Sequence, residues 1–128
     1  AIEPCGLQFC ADEPGCGLRN DRPDLGWGIS ETARIAHLAE TYNVPVSMHD
    51  CTGPLTLFAG LHVGAAVANC CYQETVRAQI QTVYKDLIDV EVEIDGGFIG
   101  LPQGPGLGVR LNPDLFKPER PGYRISKF

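Results

Sequence analysis

Residues 29–74 read "ISETARIAHLAETYNVPVSMHDCTGPLTLFAGLHVGAAVANCCYQE". The hydrophobic period alternates along this stretch between helical and extended, and breaker residues mark the changes. Ser30 is the expected N-cap of a first helix, and Glu31 suits the helix's positive end. Ile35, Leu38 and Tyr42 recur at helical spacing with Ala36 and Ala39 beside them. Asn43 suits a left-handed C-terminal cap, and Pro45 forbids continuation. "VPVSM" (44–48) is then a short apolar run of strand type. "GPLTLFAGLHVGAAVA" (53–68) reads as a second helix with Pro54 in its first turn. Leu57, Phe58, Leu61 and Ala65 fall on one face, and Gly60, Gly64, Ala65 and Ala66 permit close packing. "NCCYQET" (69–75) follows as a second strand ending at Glu74.

Outward from this centre, "VRAQIQTVYKDLID" (76–89) offers a third helix, with Ile80, Val83, Tyr84 and Leu87 on one side. "VEVEIDGGFIGLP" (90–102) sets Val90, Val92 and Ile94 against Glu91, Glu93 and Asp95, then turns at Gly96-Gly97. That is the pattern of a half-exposed strand and hairpin. The first 28 residues are rich in Gly, Pro, Cys and Asp and read as irregular, with a short strand at Leu7–Ala11. Helices alternating with short strands imply parallel strands joined by helical crossovers, an α/β class. Such folds carry their chemistry at the C-terminal ends of the strands. His49 and Glu74 both fall there, on strands whose ends share a face.

Composition narrows the function classes. The 128 residues are 44% hydrophobic, enough for one ordinary domain with a packed core. A net charge of −6 with no basic run argues against a nucleic-acid or anionic-membrane partner, though not against a small anionic substrate. No segment approaches the roughly 18 apolar residues of a membrane span. The opening "AIEPCGLQF" lacks the basic start and apolar core of a signal peptide, so a cytoplasmic location with reduced thiols is expected. The six cysteines (Cys5, Cys10, Cys16, Cys51, Cys70 and Cys71) leave disulfides and a thiolate metal site at Cys5, Cys10 and Cys16 as alternatives. The spacing of those three matches no C-x2-C zinc pattern.

Each reactive side chain has a functional and an ordinary reading. His49 is a proton-transfer group or a locally bonded loop histidine. Glu74 is a catalytic or substrate-binding carboxylate, or a strand-end carboxylate capping the next helix. Asp24 orients a histidine or forms a turn after Pro23. His37 reads as solvated and His62 as a packed histidine of the second helix. Cys51, near His49 and Asp50, is better read as a loop residue than as a nucleophile. "GPGLG" (104–108) lacks the P-loop lysine and a following helix, so it is no nucleotide signal.

The residues are more specific than their periodicities. "GISETARIAHLAETYNVPVSMHDCTGPLTLFAGLHVGAAVAN" followed by "CYQE" closely resembles the last strands of the enolase-superfamily barrel, in its mandelate racemase-like group, and in particular its galactonate dehydratase-type acid-sugar dehydratases. "DGGFIGLPQGPGLGVRLNPD" is similar to the segment that returns to that family's capping domain, and "AIEPCGLQFCADEPG" to a fourth strand that usually runs into "IEEP". The resemblance implies a partial (β/α)8 TIM-type barrel plus a capping segment. Residues 1–22 would be the remnant of an earlier strand, 23–89 the late βα units and 90–128 the capping segment. It implies His49 as the base of proton abstraction, Asp24 as its dyad partner, Glu74 as the group that hydrogen-bonds the substrate's carboxylate or enediolate, and Asp12 as a magnesium ligand. The implied reaction is magnesium-dependent dehydration of a sugar acid to a 2-keto-3-deoxy acid.

The departures from that pattern are equally specific. The family's third- and fifth-strand metal ligands and its third-strand acid catalyst have no counterpart, and "GWGIS" is about two residues shorter than the usual glycine-rich loop. A closed barrel takes about 250 residues. The expectation is therefore a chain completed by a homo-oligomer or a complementing chain. A catalytically inactive half-barrel that serves only as a structural, oligomerising fragment is the alternative.

Overall fold

The structure, a computed structural model, describes residues 28–50 and 52–119 together with Pro121 and Arg124. They fall into two compact units, one running to Val76 and the other from Arg77. In chain order the first holds α1 (Gly28–Thr41), β1 (Val46–Met48), α2 (Pro54–Ala66) and β2 (Cys70–Gln73).

Helix α1 begins at Gly28, so Ser30 lies inside the first turn rather than capping it. The Thr32 hydroxyl donates back to the Gly28 carbonyl at 2.9 Å, and Glu31 pairs with Arg34 one turn on. The helix ends as the sequence requires. Asn43 takes φ 54°, its N–H reaches the Glu40 carbonyl, and the Val44 N–H reaches the Ala39 carbonyl. That pair of bonds is the Schellman arrangement, which satisfies carbonyls left over at the helix end. The buried face differs from the expected one: Ala36 and Ala39 are buried, whereas Leu38 and Tyr42 are exposed. Ala36 and Ala39 pack in a core with Val46, Met48, Val63 and Val67, bordered by Ala33, Ile35, Val44 and Cys70. Small side chains bring the helix close to its neighbours, and larger ones at these positions would hold it off.

Helix α2 approaches the strands in the same way. A Cβ at Gly60 would lie 2.6 Å from Gln73 Oε1 and 3.3 Å from the Met48 Cβ, and one at Gly64 would lie 3.1 Å from Cys70 Sγ. The close packing expected of these glycines is thus present. Leu57, Phe58 and Val63 are buried, Leu61 is half-buried and Ala65 is exposed, so the buried face is turned towards Val63.

The two strands pair in parallel, as the alternation of elements implies. Val46 stands opposite Cys70, Ser47 opposite Tyr72 and Met48 opposite Gln73, with a bulge that skips Cys71. Asn69 clamps the corner before β2. Its side-chain amide donates to the Ala36 carbonyl at 2.9 Å and the Val44 carbonyl at 3.0 Å, while its backbone carbonyl accepts from the Val46 N–H. One residue thereby ties α1, the entry to β1 and the entry to β2.

The second unit starts with a helical run in three pieces, α3 (Arg77–Gln79), a π-helical stretch (Ile80–Tyr84) and α4 (Lys85–Leu87). Ile80 and Tyr84 are buried, but Val83, expected beside them, is exposed. Thr82 bonds back to the Ala78 carbonyl within the run, a contact that competes with the helix's own ladder. The hairpin is shorter than the alternating pattern suggests: β3 (Ile94–Asp95) and β4 (Phe98–Ile99) pair antiparallel around Gly96 and Gly97, at φ 55° and 87°. Both glycines take the left-handed conformation that a two-residue hairpin turn requires. "VRLN" (109–112) returns as an extended segment, with Leu111 bridged to Ile88, before a 3-10 turn at Pro113–Phe116. Gly104, Gly106 and Gly108, also at positive φ, shape the turns that precede it. No helix among the described residues is long and apolar enough to cross a membrane.

Replacing Asn69 with Ala removes both amide bonds and is expected to destabilise the chain by about 1–3 kcal/mol. Urea unfolding of the full chain checks this, and a change below about 0.5 kcal/mol, the ordinary range of surface substitutions, would contradict the clamp.

Candidate active site at the strand ends

Backbone pairing between β1 and β2 extends just past the last strand residues. The Glu74 N–H donates to the Met48 carbonyl at 2.7 Å, and the Gln73 side-chain amide donates to the same carbonyl at 3.2 Å and to the Glu74 carbonyl at 2.7 Å. Beyond that point side chains take over. His49 Nδ1 lies 2.7 Å from Glu74 Oε2, and Thr75 Oγ1 donates to Asp50 Oδ2 at 3.1 Å. Both contacts join residues 25 apart, the offset of the Met48–Gln73 backbone pair. The parallel register thus continues into the loops through side chains.

The protonation pattern of the first contact follows from its chemistry. An ionised carboxylate only accepts, so Nδ1–H donates to Glu74 and the lone pair of the neutral ring sits on Nε2. A carboxylate bonded to one imidazole nitrogen fixes the tautomer and the orientation of the ring. Both side chains are about two-fifths exposed, 39% for His49 and 42% for Glu74, so the pair opens to solvent and can meet a solute. Asp50, next in the chain, is fully buried.

The structure therefore brings together two of the side chains singled out from sequence, His49 and Glu74. Asp24 and Asp12 lie outside the described residues, as do Cys5, Cys10, Cys16 and Cys51 and the strand expected at Leu7–Ala11. His37 is exposed on α1 beside Glu40, and His62 is half-buried within α2. Asp50, in the loop after β1, is a buried carboxylate bonded to Thr75 in the loop after β2. The signal that could have found it is numerical: Thr75 stands as far from Asp50 as Glu74 does from His49. Among the described residues no group of three or more His, Cys, Asp or Glu side chains could hold a metal ion.

Cys70 and Cys71 are free thiols with different surroundings, Cys70 half-buried against Gly64 and Cys71 exposed. Burial, and next the neighbouring Cys71, push the Cys70 thiol above its ordinary range, outweighing backbone hydrogen bonds that pull it down. The thiolate is the reactive form, so Cys70 reacts slowly. Alkylation of the native chain at mildly alkaline pH is expected to modify Cys71 before Cys70, with the difference lost in denaturant. Peptide mapping checks this, and equal native rates would contradict it.

Residues 22–115 match the family model described as Enolase C-terminal domain-like. Over 94 residues the chain is 36% identical to a D-xylonate dehydratase of Haloferax volcanii, a match spanning 73% of this chain and 22% of that one. It is also 36% identical over 109 residues to a D-galactonate dehydratase of Xanthomonas campestris, spanning 79% and 28%. The chain thus covers about a quarter of the length of these relatives. Among solved structures it resembles an Agrobacterium tumefaciens enolase of the mandelate racemase subgroup, with a TM-score of 0.62 and 44% identity over 66% of this chain and 23% of the other. A putative dehydratase of Salmonella enterica gives a TM-score of 0.64 and 30% identity over 68% and 22%.

Proposed function

The chain belongs to the enolase C-terminal domain-like family, and on that premise we propose that it carries part of the active-site rim of an acid-sugar dehydratase, with His49 as the proton-transferring base. The observation that carries this reading is the 2.7 Å contact between His49 and Glu74 at the ends of paired parallel strands. It is supported by the relatives, which are dehydratases of D-xylonate and D-galactonate. By this reading the two strands belong to a (β/α)8 barrel, whose rim is built from several strand ends.

The reaction class sets the physical requirements. Removing the proton next to a carboxylate leaves an enediolate of high negative charge, so the base must be strong and held in place. Glu74 meets the second requirement. It orients the ring through Nδ1 and stabilises the imidazolium that forms once Nε2 has taken the proton. Its second oxygen can accept a further hydrogen bond from a substrate hydroxyl or a protonated substrate carboxylate. Direct contact with an ionised substrate carboxylate would set two like charges together, which a proton between them relieves. The beta-hydroxyl then leaves as water with the proton that Nε2 took or one from solvent, and the enol left behind ketonises to a 2-keto-3-deoxy acid.

In the family such chemistry uses magnesium, which counters the enediolate charge when bound. The described residues do not form a magnesium site, and Asp12, the ligand suggested from sequence, is outside them.

The full chain, supplied with magnesium and a panel of aldonates, is expected to release 2-keto-3-deoxy acid, detected as a semicarbazone. His49→Asn should lower the rate by about 10²–10⁴-fold, the usual contribution of a general base. An unmodified chain that makes no product with any aldonate would overturn the proposal and favour the inactive half-barrel. A variant as fast as the parent would remove His49 from the chemistry.

A further inference from the structure

Asp50 is the one fully buried charged side chain among the described residues, yet it adjoins a half-exposed base. Taking a carboxylate out of water costs several kcal/mol unless hydrogen bonds replace the lost hydration. A group buried at that cost and bonded across two loops holds those loops together. The Thr75 hydroxyl is one of its partners, reached from the far strand one residue beyond Glu74. We infer that Asp50 is a positioning residue: through Thr75 it locks the spacing of the two strand ends, and so keeps Glu74 within bonding distance of His49. The inference rests on the reading of His49 as the base, because it assigns Asp50 the task of keeping that base in one tautomer.

Three ties of equal offset act in sequence. Met48 and Gln73 are paired by the backbone, His49 and Glu74 by side chains at the solvent edge, and Asp50 and Thr75 by side chains beneath. The outer tie has two half-exposed partners, and water competes for both. The inner tie is shielded on the Asp50 side, where the local dielectric is lower and a hydrogen bond is stronger. A hydrogen bond weakens steeply with small displacements of its partners. A shift of Glu74 that backbone pairing alone would tolerate is therefore enough to free the ring. With the inner tie in place, Glu74 and Thr75 are anchored from both sides.

The test reads the His49 ring without any substrate, so it is independent of the dehydratase proposal. Ring nitrogen shifts of the 15N-histidine-labelled full chain are recorded at about pH 8.5, well above the ordinary imidazole value of ~6.5. The unmodified chain is expected to show His49 mainly as the Nδ1–H form. Glu74→Ala should return it to the mixture of a solvated ring, in which Nε2–H predominates. Thr75→Val keeps the side-chain volume but removes the hydroxyl, and should shift the ring towards that same mixture. Thr75→Ser restores a hydroxyl and should restore the Nδ1–H form. Circular dichroism melts establish that each variant folds. Should Thr75→Val fail to fold, Asp50→Asn serves instead: its amide is a weaker acceptor and should move the ring part of the way. An unmodified ring that is not mainly Nδ1–H overturns the inference. So does a folded Thr75→Val, or in its place Asp50→Asn, that keeps the parent tautomer while Glu74→Ala loses it.

Discussion

The parallel register of β1 with β2 is the constraint on which the site depends. In a parallel pair, strands that start on one side finish on one side, so groups placed just after each strand meet at a common edge. Here the register places Met48 against Gln73, and the next residue of each chain is a histidine and a glutamate. No long-range folding device is then needed to bring histidine and glutamate together. What must be secured is the offset, because a slip of one residue would turn the side chains to opposite faces. The bulge at Cys71 absorbs one residue before the last pairs form, and therefore sets which residues face each other at the exit.

Packing behind the strands serves that register. Alanines on α1 and glycines on α2 allow close approach to β1 and β2, so Met48 and Gln73 are held from one face by the helices. Gly60 lies where any side chain would press on the Gln73 amide, and Gln73 spans the Met48 and Glu74 carbonyls. A methyl group there would be felt within one residue of the acid. Asn69 secures the other end of the pair by bonding to α1 and to the entry of β1. The strands are short, three and four residues, so these side-chain ties replace the stability that longer ladders would provide.

Much of this was legible in the sequence. The Asn43 cap, the break at Pro45, the parallel alternation and the Gly96-Gly97 turn all follow from local backbone chemistry, which needs no knowledge of tertiary partners. The approach of Gly60 and Gly64 was also readable, because small residues at helical spacing have few other uses. The choice of buried face was not. Leu38 and Tyr42 carry the larger hydrophobic payload, but close packing selects Ala36 and Ala39, and size alone cannot reveal that preference. Val83 fails for a related reason, since the π-helical stretch changes the angular spacing on which the expected stripe relied. At the site, strand ends pointed to His49 and Glu74, whereas Asp50 looked like one more polar loop residue. It is buried and bonded to a hydroxyl in a different loop, a pairing that becomes visible once the register is known.

The role proposed for His49 is that of a base that removes a proton next to a carboxylate. The most direct measurement is proton NMR of an aldonate incubated with the full chain and magnesium in deuterium oxide. With His49 as the base, the signal of the hydrogen next to the carboxylate decays with the unmodified chain, through exchange or conversion, and persists with His49→Asn. A signal that persists with both chains, or decays equally with both, would contradict it.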